Sequence, residues 1–181
     1  MYEVIEALSS LSRTGWMLRG VPSALAESVA EHSFASAVIA FELAVRLRDR
    51  GVEIDPYRAA LVALVHDVGE SVIGDIAKTA GIGDAKREAE LRAVKTLPFS
   101  NALKELVIEF EESSSVEALV ARVSESLATI LKARSYVSLG YTRVKEIEDN
   151  LKRYVSSLLR DRLELRDLIR EVIAEALGLT L

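Results

Sequence analysis

The sequence predicts an all-α fold, a helical bundle with a helical C-terminal extension. Three observations carry this prediction. Apolar residues recur at helical spacing along most of the 181-residue chain. The 9 glycines and 3 prolines are few and fall between those periodic segments. Two Ser-x-x-Glu strings, Ser28-Val29-Ala30-Glu31 and Ser114-Ser115-Val116-Glu117, have the form of capping boxes that open helices.

Residues 2–11 read as a short helix. Residues 12–27, with Gly15, Gly20 and Pro22, read as a structured loop. The Ser28 box starts a helix that runs to about Arg50 and is ended by Gly51. Asp55-Pro56 is an N-cap followed by proline at the first helical position, so the next helix runs from Tyr57 to about Val68. It is apolar almost all round (Ala59 through Val65), the pattern of a helix buried on every side. Gly69, Gly74, Gly81 and Gly83 punctuate the next stretch, before short helices near 84–97 and 100–111. The second box opens a helix to about Leu139. In the tail, 141–181, Val144, Ile147, Leu151, Tyr154, Val155 and Leu158 recur at helical spacing. Its eight basic and eight acidic residues balance, which describes a solvated face. Such a tail packs on the core or on a second subunit. The chain reads as one domain over 1–181, with a core at about 7–140.

Composition narrows the function. At 50% hydrophobic and 28% charged residues the chain is globular. A net charge of −5 and a pI near 5.2 argue against a broad nucleic-acid-binding face and against a helix-turn-helix reader, which needs a basic recognition helix. With 0 cysteines, disulfides, zinc ribbons, thiol catalysis and iron–sulfur clusters are excluded. No apolar run reaches the roughly 18 residues of a membrane span. Glu3 and Glu6 stand where a signal peptide has basic residues and an apolar core, so a cytoplasmic location without membrane attachment is expected. Glutamine is absent, asparagine and methionine number 2 each, and charges are plentiful, the pattern of a thermophile.

The chemistry concentrates around the 2 histidines. His66-Asp67 ends the apolar helix, where an ionised aspartate is costly unless it is paired or binds a metal. Glu70 lies one turn on, on the same face, and Asp75 follows Gly74. Three clustered carboxylates repel one another without a cation. Imidazole plus carboxylate suits a divalent metal such as Mn, Co, Fe, Ni or Zn. His32 shares an inward face with Ser36, Ile39 and Leu43, so two packed helices can present His32 and His66 to one ion. On spacing alone, polar core histidines with capping carboxylates remain the alternative. Glu109, Glu111 and Glu112 read as a solvated acidic helix end, and Lys78 as a solvated charge that could also hold a phosphate.

The combined string is more specific. Arg13-Thr14-Gly15-Trp16 with Arg19-Gly20-Val21, then Glu27-Ser28-Val29-Ala30-Glu31-His32-Ser33, then His66-Asp67-Val68-Gly69-Glu70-Ser71-Val72-Ile73-Gly74-Asp75-Ile76, resembles the HD-domain metal-dependent phosphohydrolases, and among them the 5′-deoxynucleotidase branch. The resemblance covers about residues 7–140. It implies that His32, His66 and Asp67 bind a divalent ion (Mg joins the metals above) and that Glu70 is the catalytic glutamate beside the attacking water. It implies that Asp75 takes part in catalysis by positioning sugar and phosphate, and that Arg13, or Arg19, contacts the phosphate. It also implies that Trp16 lies near the sugar. Arg13 and Arg19 as solvated loop charges, and Trp16 as an apolar plug, are the bland alternatives. The family's last ligand is an aspartate on the later helix, where this chain has Glu125, one methylene longer. Glu125 either ligates with a small adjustment or is a surface residue of a site that has lost a ligand. The resemblance further implies a homodimer acting on deoxyribonucleoside 5′-monophosphates. The alternatives are hydrolysis of a nucleoside triphosphate or cyclic nucleotide, and a non-catalytic helical binding module with a structural metal.

Overall fold

The computed structural model describes residues 1–77 and 81–180, so Lys78 lies outside the described residues. Ten α-helices are present among them: α1 (Tyr2–Ser10), α2 (Thr14–Met17), α3 (Val29–Arg48), α4 (Pro56–Val65), α5 (Glu70–Ile73), α6 (Gly83–Thr96), α7 (Asn101–Glu112), α8 (Val116–Ser138), α9 (Lys145–Leu158) and α10 (Leu163–Leu177). A 3-10 turn, Thr142–Val144, leads into α9. The described residues hold no strand, only an isolated antiparallel bridge between Ser12 and Ser28.

Local chemistry sets the helix starts. At α3 the capping box is complete: Glu31 N donates to Ser28 Oγ at 3.1 Å and Ser28 N donates to Glu31 Oε2 at 2.7 Å. At α4, Tyr57 N donates to Asp55 Oδ1 at 2.9 Å, with Pro56 at the first helical position. The second predicted box does not form. Ser115 is the cap of α8, accepting from Ala118 N at 2.9 Å. Glu117 instead accepts from Asp55 N at 2.9 Å, which ties the starts of α4 and α8 together. The predicted loop 12–27 contains the short helix α2.

The helix after Pro56 is shorter than its apolar run suggested and is not buried all round. It stops at Val65, and His66 opens a tight turn. Ala59, Val62, Ala63 and Val65 are buried, whereas Tyr57, Leu61 and Leu64 are exposed. The reason is position: α4 packs on α3, α7 and α8 from one side, and its other side faces out.

The main core lies where α3, α4 and α8 meet, through residues such as Leu43, Leu47, Val62, Leu119, Val123, Leu127 and Ile130. The tail shares this core. Leu151 and Val155 of α9, Ile169, Val172 and Ile173 of α10, and Leu179 belong to the same buried cluster. A second cluster joins α1 to α6 and α7 through Val4, Leu8, Val94, Leu97 and Val107. A third gathers Trp16, Val21, Ala133, Tyr136 and Val144, and fixes the α2 segment against α8. Val65 and Val68 also belong to the second cluster, so apolar packing anchors the His66-Asp67 turn on both flanks.

Candidate active site

The end of α4, the start of α5, the α2 segment, and the inner faces of α6, α8 and α9 enclose a cavity of about 450 Å³. That volume suits a small organic ligand. Arg13, Trp16, Arg19, His66, Asp67, Glu70, Asp75 and Glu125 all line it. His32 lies beneath, fully buried on α3.

Among the described residues His32, His66 and Asp67 each offer a ligand atom within 4.8 Å of one another. The two imidazoles meet edge to face at 5.3 Å. His66 Nδ1 lies 2.7 Å from the Ala63 carbonyl, so that nitrogen donates and Nε2 is left to face Asp67 Oδ2 at 3.0 Å. This is how a protein orients an imidazole as a metal ligand. Burial alone would lower the His66 pKa, but the charges of Asp67 and Glu125 outweigh it and hold it above its ordinary value. Burial would likewise raise Asp67, yet the two histidines and Lys86 hold it well below the carboxylate range. Two nitrogens and an ionised oxygen, borderline and hard donors together, fit a divalent transition metal or zinc.

Glu125 is not a surface residue. It is buried on α8, its Oε1 accepts from Ser126 Oγ at 3.0 Å, and its charge acts on His66 and Arg13. It faces the same cavity without joining the 4.8 Å cluster of the other three.

Glu70 is 2% exposed, on the first turn of α5. Its Oε1 accepts from Lys86 Nζ at 2.9 Å, while its buried Oε2 has no hydrogen-bond partner among the described residues. Burial, reinforced by the charge of Asp67 and opposed by Lys86, pushes its pKa up to about 9. With that pKa the group holds a proton at neutral pH and ionises when a cation's charge is added beside it, so Glu70 is a candidate acid–base group.

The phosphate-side candidates divide. Arg13 is held rather than solvated: its Nη1 donates to Glu27 Oε1 at 3.2 Å and to Thr129 Oγ1 at 3.1 Å, and lies 3.1 Å from His32 Nδ1. Arg19 donates to the Gly15 carbonyl at 3.3 Å and pairs with Glu146 of α9 at 3.7 Å. Trp16 is 1% exposed, with Nε1 on Glu27 at 2.9 Å and its ring 5.1 Å from Tyr136. It is both a core plug and part of the cavity wall. Asp75 accepts from Thr14 N through Oδ2, and its carbonyl accepts from Thr14 Oγ1 at 2.8 Å. It therefore clasps the α2 segment to the loop after α5.

Several lining residues escaped the sequence reading. Lys86 and Glu90 of α6 sit beside Glu70. Arg87 and Arg122 pair with Glu111 at 3.3 and 3.8 Å, and Arg122 covers Phe110, which packs on His66. Glu109 is buried under Arg58 and Ser115. The predicted solvated acidic end of α7 is thus half structural, because α4 and α8 close over it. From the tail, α9 contributes Ile147, Asn150, Leu151 and Tyr154 to the cavity wall.

A helical bundle carrying two histidines, an aspartate and a buried glutamate at one helix junction defines a protein class, and comparison identifies it. The chain belongs to the HD-domain family, whose sequence profile matches residues 5–168. It is 31% identical over 146 residues to the 5′-deoxynucleotidase HDDC2 of Dictyostelium discoideum, covering 75% of each chain. To the human 5′-deoxynucleotidase HDDC2 it is 32% identical over 145 residues, covering 76% of this chain and 67% of the human one. A crystal structure of the PH0347 protein from Pyrococcus horikoshii superposes with a TM-score of 0.75 at 35% identity, covering 93% of this chain and 99% of that one.

Proposed function

We infer that this chain is a metal-dependent phosphohydrolase that splits deoxyribonucleoside 5′-monophosphates into nucleoside and inorganic phosphate. One observation carries the reading: a metal-competent His32–His66–Asp67 cluster and a buried glutamate with an unpartnered oxygen meet at one cavity, which Arg13 and Arg19 also line. Likeness to curated 5′-deoxynucleotidases supports the substrate class.

His32, His66 and Asp67 would hold the ion, with Glu125 as the fourth protein donor. When bound, a divalent ion acidifies water and offsets charge on the phosphoryl oxygens. Glu70 Oε2 accepts the proton of the attacking water, while Lys86 fixes the other carboxylate oxygen. Arg13, or Arg19 from the same segment, donates to the phosphate. Asp75 holds that segment in place and positions the sugar beside Trp16. The apolar residues Ile147 and Leu151 of α9 offer a wall for the base.

The same reading includes a homodimer in the cytoplasm of a thermophile. Phe34 and Val38 of α3, with Tyr57, Leu61 and Leu64 of α4, are exposed, and the Phe41–Tyr57 ring contact sets the two helices side by side. A stripe of exposed apolar side chains on neighbouring helices is the kind of surface that marks an interaction site. It supports a dimer face on α3 and α4. The glutamine-free composition and the Pyrococcus likeness support the thermophile.

The test is phosphate release from dAMP, dCMP, dGMP and dTMP against AMP and UMP, using metal-stripped protein resupplied with Mn, Co, Mg or Zn. Metal-dependent release that favours the deoxy substrates is expected, with a loss of about 10²- to 10⁴-fold in Glu70→Gln. With deoxynucleoside triphosphates and cyclic nucleotides assayed beside them, release of triphosphate from the former or ring opening of the latter, without hydrolysis of the monophosphates, would assign another substrate. Absence of all hydrolysis would leave a binding module.

A further inference from the structure

One wall of the cavity comes from the tail of the chain. Ile147, Asn150, Leu151 and Tyr154 of α9 all line it. Their spacing along the helix puts the four side chains on one face. Leu151 is buried and Ile147 half-buried, whereas Asn150 is exposed. The face therefore joins an apolar floor to an amide at its edge.

The neighbours of this face give its place in the site. Ile147 packs against the cluster that holds Trp16. Glu146, one residue earlier, pairs with Arg19 at 3.7 Å. So α9 adjoins the α2 segment. A nucleotide is built in the order phosphate, sugar, base. With the phosphate at the His32–His66–Asp67 cluster and the sugar beside Trp16, the base falls to α9.

Asn150 sets the polarity of that contact. Its Oδ1 accepts from Arg153 Nη2 at 2.5 Å, and Arg153 Nε donates to the Asp149 carbonyl at 3.3 Å. An arginine has donors only, so the amide atom that meets it is the oxygen. The Nδ2 amino group, a donor, is turned away from Arg153. Guanine and thymine carry a carbonyl oxygen, O6 or O4, where adenine and cytosine carry an amino group, N6 or N4. A donor amide pairs with the first kind and opposes the second.

We propose that α9 reads the base: Asn150, oriented by Arg153, donates to a base carbonyl and favours dGMP over dAMP and dTMP over dCMP. The inference rests on the reading of this chain as a deoxynucleoside monophosphate hydrolase. Asn150 determines specificity by touching the substrate. Arg153 acts through it, as a positioning residue.

The experiment compares kcat/KM for the four monophosphates, competed against one another over Mn²⁺-loaded protein. Wild type is expected to favour the carbonyl-bearing member of each pair by about 3- to 10-fold, the worth of one hydrogen bond. Asn150→Asp replaces the donor with an acceptor, and both ratios are expected to invert. Its added charge acts on all four substrates alike and cancels in the ratio. Arg153→Ala frees the amide to turn, and both ratios are expected to fall towards one. Asn150 and Arg153 are both exposed, so neither change reaches the core. A damaged fold would lower every rate without moving a ratio. Wild-type ratios at or below one, or ratios unmoved in Asn150→Asp, would overturn the proposal and leave the hydrolase reading standing. Inversion in Asn150→Asp with ratios unmoved in Arg153→Ala would overturn the part given to Arg153. Hydrolysis of none of the four would overturn the hydrolase reading and this inference together.

Discussion

The family resemblance sets Glu125 against the aspartate of the last ligand position, and the structure buries it on α8 in the cavity wall. It projects from α8 into the cavity, steadied by Ser126, with its charge felt by His66 and Arg13. Glu125→Gln keeps the shape and removes the charge. It is expected to weaken Mn²⁺ binding by about 10- to 100-fold, measured by competition with a chelator. Unchanged affinity would remove Glu125 from the ligand set. His32, His66, Asp67 and Glu70 were legible in the sequence because buried charge next to an apolar run is conspicuous. Lys86 and Glu90 were not. An acid four residues after a base on a polar helix looks like any solvated ion pair. Only the packing of α5 against α6 shows that this pair faces the site.

Among the helices, α9 depends on charge as well as apolar contact. Glu148 is buried against α8, accepting from Arg134 Nε at 3.0 Å and pairing with Lys152 at 2.9 Å. Burial alone would raise its pKa, but the hydrogen bonds from Lys152 and Arg134 and their charges hold it below the usual carboxylate value. The sign follows from linkage. The unfolded chain binds this proton more readily, so the stabilisation is full above the unfolded pKa and is lost as pH falls through the folded one. Thermal melts should therefore show acid destabilisation beginning below about pH 4.5, the ordinary value for this group, and less of it in Glu148→Gln. The second capping box failed at this same scale. Only Ser114 has a glutamate three residues on, yet Ser115 is the residue that caps α8, and a tertiary partner, Asp55 N, claimed the glutamate. In α4 the apolar run hid an exposed face, because hydrophobicity around a helix does not say which neighbours exist.

Over the whole molecule, the tail is part of the fold and not an appendage. The sequence showed its amphipathic period but left its partner open, since periodicity reports a buried face without saying what buries it. The partner is the chain's own core, through Leu151, Val155, Ile169, Val172 and Ile173. Ile173→Ala is expected to cost about 2–5 kcal/mol in urea unfolding, a normal value for a fully buried isoleucine. A value near zero would place α10 outside the cooperative unit. Chain ending after Gly140 would expose the α3 and α8 residues that the tail covers, and is expected to aggregate on expression. The all-α class followed from sequence alone, whereas the way α9 walls the cavity required the packed structure.

The burial of Trp16 has a practical consequence. It is the chain's 1 tryptophan, and it lines the cavity with its indole N–H on Glu27, beside Arg13. Its emission therefore comes from a single place, in the wall of the cavity that His66 and Asp67 also line. The protein carries its own fluorophore, and occupancy of the cavity can be followed in unlabelled material from the intensity and wavelength of one band.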